Sequence, residues 1–218
     1  MSFKKTDIIN IVIAGTAGQG VITLKRLIEF AAQKAGIQRA FGSEMHGLAQ
    51  REGGITSHTR YQKEIFKDER KNLHSPLICY GDADLYICFE PIEALRRGIY
   101  ASSKTTFVLN ERTIPGVMIT AGLERYPPLN EIKDILVGYG NAVYFVNATQ
   151  ASLEHFKQNQ QVNLIMLGFA VATEKIPFIE MTHYEEVIKE WLRDPDINIK
   201  ALYLGFEEGK KIINKESS

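Results

Sequence analysis

Two rhythms of apolar residues run along this chain. Residues 8–14 (IINIVIA) form an unbroken, β-branched run, the pattern of a strand buried on both faces. The loop Gly15-Thr16-Ala17-Gly18-Gln19-Gly20 follows at once. From Val21 the spacing becomes helical, with Leu24, Leu27, Ile28 and Ala31 on one side, and Gly36 is placed to stop the helix at C′. Strand, glycine loop and helix together open a βαβ unit.

The segment from Ser43 to Arg60 breaks the rhythm, being polar and rich in His, Arg, Gln and Gly. Its first part predicts a short helix over residues 45–50, and its second alternates as a strand over 55–61. Residues 62–72 are charged and read as a hairpin or loop. The α/β pattern then returns. Strands are predicted over 84–89, 105–109 and 142–146, with a further short one over 117–120. Helices are predicted over 91–97, where Pro91 suits the first turn, and over 129–139, 150–156, 162–174 and 181–191. A last helix is predicted over 197–211. Strands alternating with helices predict an α/β fold: a single Rossmann-like three-layer domain over residues 1–218 with a mainly parallel sheet.

Composition narrows the function classes. The 26 basic and 26 acidic side chains cancel, leaving no electrostatic footprint for nucleic acid or an anionic membrane. No apolar run approaches the roughly 18 residues of a membrane span. The opening residues MSFKKTDIINIVIAG read as a first strand, not as a signal peptide, because glycines and a polar loop follow the apolar run. The two cysteines, Cys79 and Cys88, fall in or near a predicted buried strand region and form no CxxC pair. Zinc or iron–sulfur sites normally take four ligands, so the chain is expected to hold no cluster of its own. The cysteines read as small core residues of a cytoplasmic protein.

The glycine loop joins a buried strand to a helix N-terminus, where backbone N–H groups and the helix dipole favour an anion. Its spacing, Gly15-x-x-Gly18-x-Gly20, departs from the dinucleotide fingerprint GxGxxG, and it lacks the Lys-Ser/Thr ending of a P-loop. Three readings stay open: a phosphate or carboxylate site, a tight turn made only for packing, or a dinucleotide site. In the polar segment, His46 and Gln50 would share a helix face, Gly53 and Gly54 free the backbone to turn, and His58 and Arg60 would share a strand face. With Arg51, these residues would gather beside the glycine loop at the carboxyl ends of the strands. A metal site built on Glu44, His46 and His58 has poor spacing, and no GxSxG elbow supports a Ser/His/acid triad. The alternatives are a solvated or interface loop, and contact with a partner's active site or an anionic ligand.

Together these residues resemble the γ-type domain of 2-oxoacid:ferredoxin oxidoreductases, most nearly the small (β) subunit of the indolepyruvate type. That family opens with a GxGGQG loop; here it is GTAGQG, with Ala17 in place of a glycine. Its E-x-HGMAQRGG and SHVR stretches match Glu44-Met45-His46-Gly47-Leu48-Ala49-Gln50-Arg51-Glu52-Gly53-Gly54 and Ser57-His58-Thr59-Arg60. Similar pieces follow in order: Ser75 to Ile78, Gly81 to Asp84, Glu90 to Leu95, Asn110, Asn147-Ala148-Thr149, Asn163 and Leu167-Gly168. The resemblance spans roughly residues 7–208.

It implies an enzyme that converts a 2-oxoacid and coenzyme A to an acyl-CoA and CO₂, passing two electrons to ferredoxin. It further implies that thiamine diphosphate, Mg²⁺ and [4Fe–4S] clusters reside on a large α-type subunit, and that this chain carries none and is inactive alone. Gly15, Thr16, Gly18, Gln19, Gly20, Glu44, His46, Gln50, Arg51, Gly53, Gly54, His58 and Arg60 are then expected to face the partner's active site. Two alternatives remain: a stand-alone NAD(P)- or flavin-binding module, and a purely structural interface subunit.

Overall fold

The computed structural model describes residues 8–46 and 54–216. The first apolar run forms β1 (Ile8–Thr16), and the glycine loop leads into α1 (Val21–Lys34). β2 (Arg39–His46), β3 (Gly54–Gln62), β4 (Leu85–Cys88), α2 (Pro91–Arg96) and β5 (Thr106–Asn110) follow. The remainder runs α3 (Val117–Thr120), α4 (Leu129–Val137), β6 (Ala142–Val146), α5 (Ala148–Phe156), α6 (Val162–Ala172), α7 (Met181–Trp191) and α8 (Pro195–Glu216). Among the described residues no helix is long and apolar enough to cross a membrane.

The sheet has six strands in the order β2-β3-β1-β4-β5-β6. The pairs β1–β4, β4–β5 and β5–β6 are parallel, and β3 alone runs against its neighbours β1 and β2. Alternation along the central strands feeds two cores. Ile11 and Ile13 of β1 join Ile87 of β4 and Val108 of β5 on one face, under α1, α6, α7 and α8. Val12 and Ala14 join Tyr86, Phe107 and Leu109 on the other, under Ala94 of α2 and Ile132 and Leu136 of α4. Helices thus cover both faces, which is why the central strands read as continuous apolar runs.

α6 is apolar nearly all round because it is sandwiched between the sheet and α8. Glycines bring the two helices together: a Cβ on Gly168 would stand 1.9 Å from the Leu202 carbonyl oxygen, and one on Gly205 would stand 2.0 Å from that of Ile165.

Three expectations are corrected. Residues 45 and 46 are strand and not helix, because Met45 and His46 pair with Thr56 and Ile55 across β2 and β3; residues 47–50 lie outside the described residues. Residues 117–120 form a helical turn, with Thr120 N–H donating to the Gly116 carbonyl and Ala121 N–H to that of Val117, so local bonds take the backbone groups a strand would pair. Cys88 is buried in β4, but Cys79 is exposed in the loop before it.

Candidate functional site

The glycine loop leaves the carboxyl end of β1, where strand order reverses between β1 and β4, the position at which open α/β sheets receive ligands. Each glycine has its own cause. Gly15 is crowded: a Cβ there would meet Gln19 Oε1 at 2.7 Å and Phe89 Cβ at 3.0 Å. Gly18 and Gly20 both adopt φ of +86°, open to glycine at little cost. Gln19 ties the loop down, its Oε1 accepting the Thr16 N–H at 2.7 Å and its Nε2 donating to the Phe89 carbonyl at 3.3 Å. Gly20 caps α1 with no side-chain hydrogen bond, and no acidic residue stands in the first helical turn. The free N–H groups and the positive end of the dipole are therefore available to an anion.

The loop opens on a cavity of about 300 Å³. Its walls come from Gly18 to Gly20, from Phe89, Asn110 and Arg112 beyond β4 and β5, from Thr149 in the first turn of α5, and from the approach to α6. Asn110 is buried and fixes this corner, donating to Thr149 Oγ1 at 3.0 Å and accepting the Thr149 N–H at 3.3 Å. Arg112 is exposed, and its guanidinium has no partner among the described residues. Among the described residues no carboxylate lines the cavity. A helix N-terminus and a guanidinium unpaired among the described residues give this corner the donors that an anionic group would meet. Arg112 escaped sequence reasoning; the one signal for it is a basic residue just past a buried strand, at the carboxyl edge of the sheet.

The polar segment divides. Its two described ends, His46 and Gly54, emerge on the same rim as the glycine loop: Thr16 pairs with Gly54, and His46 with Ile55. Gln50, Arg51 and Gly53 lie outside the described residues. Glu44 is committed to α1, accepting an ion pair from the buried Lys25 at 3.0 Å. Lys25 also lies 3.7 Å from Glu29, whose carboxyl is pushed above its ordinary pKa by burial.

His58 and Arg60 do share a strand face, but they do not gather beside the glycine loop. They stand opposite Val12, at the middle of β1, and Asn10, toward its amino end. Six residues separate Asn10 from Thr16, about 20 Å of strand at roughly 3.3 Å per residue. Arg60 donates there to Asn10 Oδ1 at 2.7 Å and to the Ser75 and Leu77 carbonyls at 3.0 and 2.8 Å. Arg60→Ala is expected to lower folding stability by about 1–3 kcal/mol while leaving ligand binding at the cavity unchanged, as denaturant unfolding and binding titrations would read.

His58 is buried, accepts the Ile78 N–H through Nδ1 at 3.1 Å, and packs edge-to-face on Tyr100 with ring centroids 4.6 Å apart. The ring proton therefore belongs on Nε2. Burial first, and the Arg60 charge second, pull its pKa down to about 4. The unfolded chain takes up this proton near pH 6.5 but the folded chain only near pH 4, so stability is lost as pH falls through that window, by at most about 3 kcal/mol. His58→Gln should flatten this part of the stability–pH curve, measured by urea unfolding at pH 7, 6, 5 and 4.

Among the described residues no three His, Cys, Asp or Glu side chains are grouped to hold a metal. Cys88 Sγ donates to the Glu90 carbonyl instead.

Comparison with known proteins places the chain in a well-defined neighbourhood. The pyruvate ferredoxin/flavodoxin oxidoreductase family matches residues 10–208. The chain is similar to the indolepyruvate oxidoreductase subunit IorB of Archaeoglobus fulgidus, 34% identical over 202 residues and covering 92% of this chain and 94% of that one. It is 31% identical over 207 residues to the subunit of the same name from Pyrococcus horikoshii, covering 94% and 98%. In fold it resembles the γ subunit of a keto/oxoacid ferredoxin oxidoreductase from Geobacter sulfurreducens, with TM-score 0.65, 14% identity, and coverage of 93% and 97%. It also resembles 2-oxoglutarate:ferredoxin oxidoreductase from Magnetococcus marinus, solved with 2-oxoglutarate, coenzyme A and succinyl-CoA bound; TM-score is 0.65 and identity 20%, covering 94% of this chain and 31% of that one.

Proposed function

This chain belongs to the pyruvate ferredoxin/flavodoxin oxidoreductase family, and from that premise we infer that it is the small subunit of a cytoplasmic 2-oxoacid:ferredoxin oxidoreductase of the indolepyruvate type. The likeness to the IorB subunits over nearly their whole length supports the arylpyruvate substrate class. A large α-type subunit carries thiamine diphosphate, Mg²⁺ and [4Fe–4S] clusters and performs the decarboxylation: the 2-oxoacid loses CO₂, its acyl group joins the coenzyme A thiol, and two electrons leave for ferredoxin. In this reading the part of the small chain is to bind and orient.

One observation carries that part: the α1 N-terminus, without a side-chain cap, and Arg112 line one cavity in which, among the described residues, Arg112 has no partner and no carboxylate stands. We assign this cavity to the phosphate-bearing portion of coenzyme A. The described chain reaches the same rim at His46 and resumes there at Gly54, and we propose a role at the large subunit for Gln50, Arg51 and Gly53, which lie outside the described residues. Arg51→Ala should then lower turnover of the assembled complex about tenfold with assembly intact, the loss of one charge-assisted contact; unchanged turnover would reduce the segment to a structural contact. Titration of the isolated chain with NAD(P) or flavin separates the stand-alone reading. No binding at micromolar concentration is expected, and tight binding would overturn the assignment.

A further inference from the structure

Two consecutive residues just past β4 hold two walls of the glycine-loop cavity. The Phe89 carbonyl accepts from Gln19 Nε2 at 3.3 Å and from Asn110 Nδ2 at 3.4 Å, tying down the glycine loop and the Asn110 corner. Glu90 is only 1% exposed, and each oxygen of its carboxylate accepts two hydrogen bonds. Oε2 takes the Ile92 and Glu93 N–H groups at 2.9 and 3.3 Å, capping α2. Oε1 takes the Ile114 N–H at 3.1 Å and the Tyr126 hydroxyl at 2.6 Å.

The residue type exceeds what a cap needs. Ser, Thr, Asp and Asn are the usual N-cap residues, since a short side chain reaches the N2 and N3 amides. Glutamate is one methylene longer, and that length carries its other oxygen past α2 to Ile114 and Tyr126. Burial pushes the Glu90 carboxyl above its ordinary pKa, and the four donors oppose the shift.

What Glu90 holds is the loop that carries Arg112. The Glu111 N–H donates to the Val146 carbonyl at 3.0 Å, and the Ile114 N–H donates to Glu90. Arg112 is strung between these two anchors. The chain then leaves for α3 and returns at Tyr126 to the same carboxylate oxygen, so both ends of that excursion close on one atom. The Arg112 guanidinium has no partner among the described residues, so the backbone on either side sets where it can reach.

Resting on the reading of this cavity as the coenzyme A phosphate site, we propose that Glu90 is a positioning residue for Arg112, acting through Ile114 and Tyr126. Glu90 itself touches no substrate. It fixes the second anchor of the Arg112 loop, so the loop is ordered on folding and not on binding, and the guanidinium is in place when a phosphate arrives.

Two variants of the full chain test this. Tyr126→Phe removes one bond to Oε1 and keeps the ring that packs against the core under α2 and α4. Glu90→Asp keeps the charge and the cap of α2 but falls short of Ile114. Amide hydrogen exchange over residues 111–116 should quicken at least about threefold in each. In the assembled complex each should raise KM for coenzyme A about 3- to 10-fold and leave kcat within about twofold. Added to Arg112→Ala, neither should raise KM further, because the group they place is gone. Wild-type exchange in both variants would overturn the proposal. So would the same rise in KM in the Arg112→Ala background, or a KM that only Arg112→Ala raises. Faster exchange with KM unchanged in every variant, Arg112→Ala included, would overturn the coenzyme A reading of the cavity and leave Glu90's hold on the loop standing.

Discussion

Gly168→Ala is expected to destabilise the fold more than any other single-methyl change, by at least about 3 kcal/mol. The added Cβ would lie 1.9 Å from the Leu202 carbonyl oxygen and 2.7 Å from the Phe206 amide nitrogen, both backbone atoms of α8 that no rotamer change can move aside. The helices would have to separate, opening the core in which Phe169, Ile165 and Leu202 are buried. The damage would reach the site, since α6 begins at Val162 and carries Asn163 against the glycine loop. Urea unfolding of Gly168→Ala beside wild type reads the effect, and a loss under about 1 kcal/mol would mean that α6 and α8 do not approach so closely.

The largest functional effect is expected from Arg112→Ala. The guanidinium is exposed and unpaired among the described residues, so its removal should leave the melting temperature unchanged. In the assembled complex it should lower kcat/KM for coenzyme A about 10- to 100-fold, the usual weight of a charge-assisted contact to a phosphate. Arg125→Ala, equally exposed but engaged with Glu131, is the control and should change nothing. A variant at Arg112 with full kcat/KM would remove the cavity from the function.

Much of this architecture is legible in the residues. β6 and α7 have the bounds that periodicity predicts, 142–146 and 181–191, because each is a clean stretch of one rhythm. Gly36, at φ +71°, ends the turn after α1 as its position suggests. β2 was hidden because Arg39–His46 is half-buried and mixes polar with apolar residues, so its strand character comes from pairing with β3. Alternation rightly put His58 and Arg60 on one face, but it sets the face and not the register. Only the pairing with β1 shows that Arg60 lies opposite Asn10, toward its amino end, and His58 opposite Val12, at its middle. The strand–glycine loop–helix unit was readable from local pattern, and its glycines Gly18 and Gly20 fall where the backbone turns. Arg112 comes from a segment far from that loop in the chain, and nothing local to it announces the cavity it lines.

We propose that this chain completes the coenzyme A site of a larger enzyme. Coenzyme A- and 2-oxoacid-dependent ferredoxin reduction tests it most directly, measured with the large subunit alone, with the wild-type chain added, and with the Arg112→Ala chain added. Negligible turnover without the chain, full turnover with it, and a KM for coenzyme A raised at least about tenfold by the substitution are the predicted results. Full turnover by the large subunit alone, or an unchanged KM in the variant, would contradict the account.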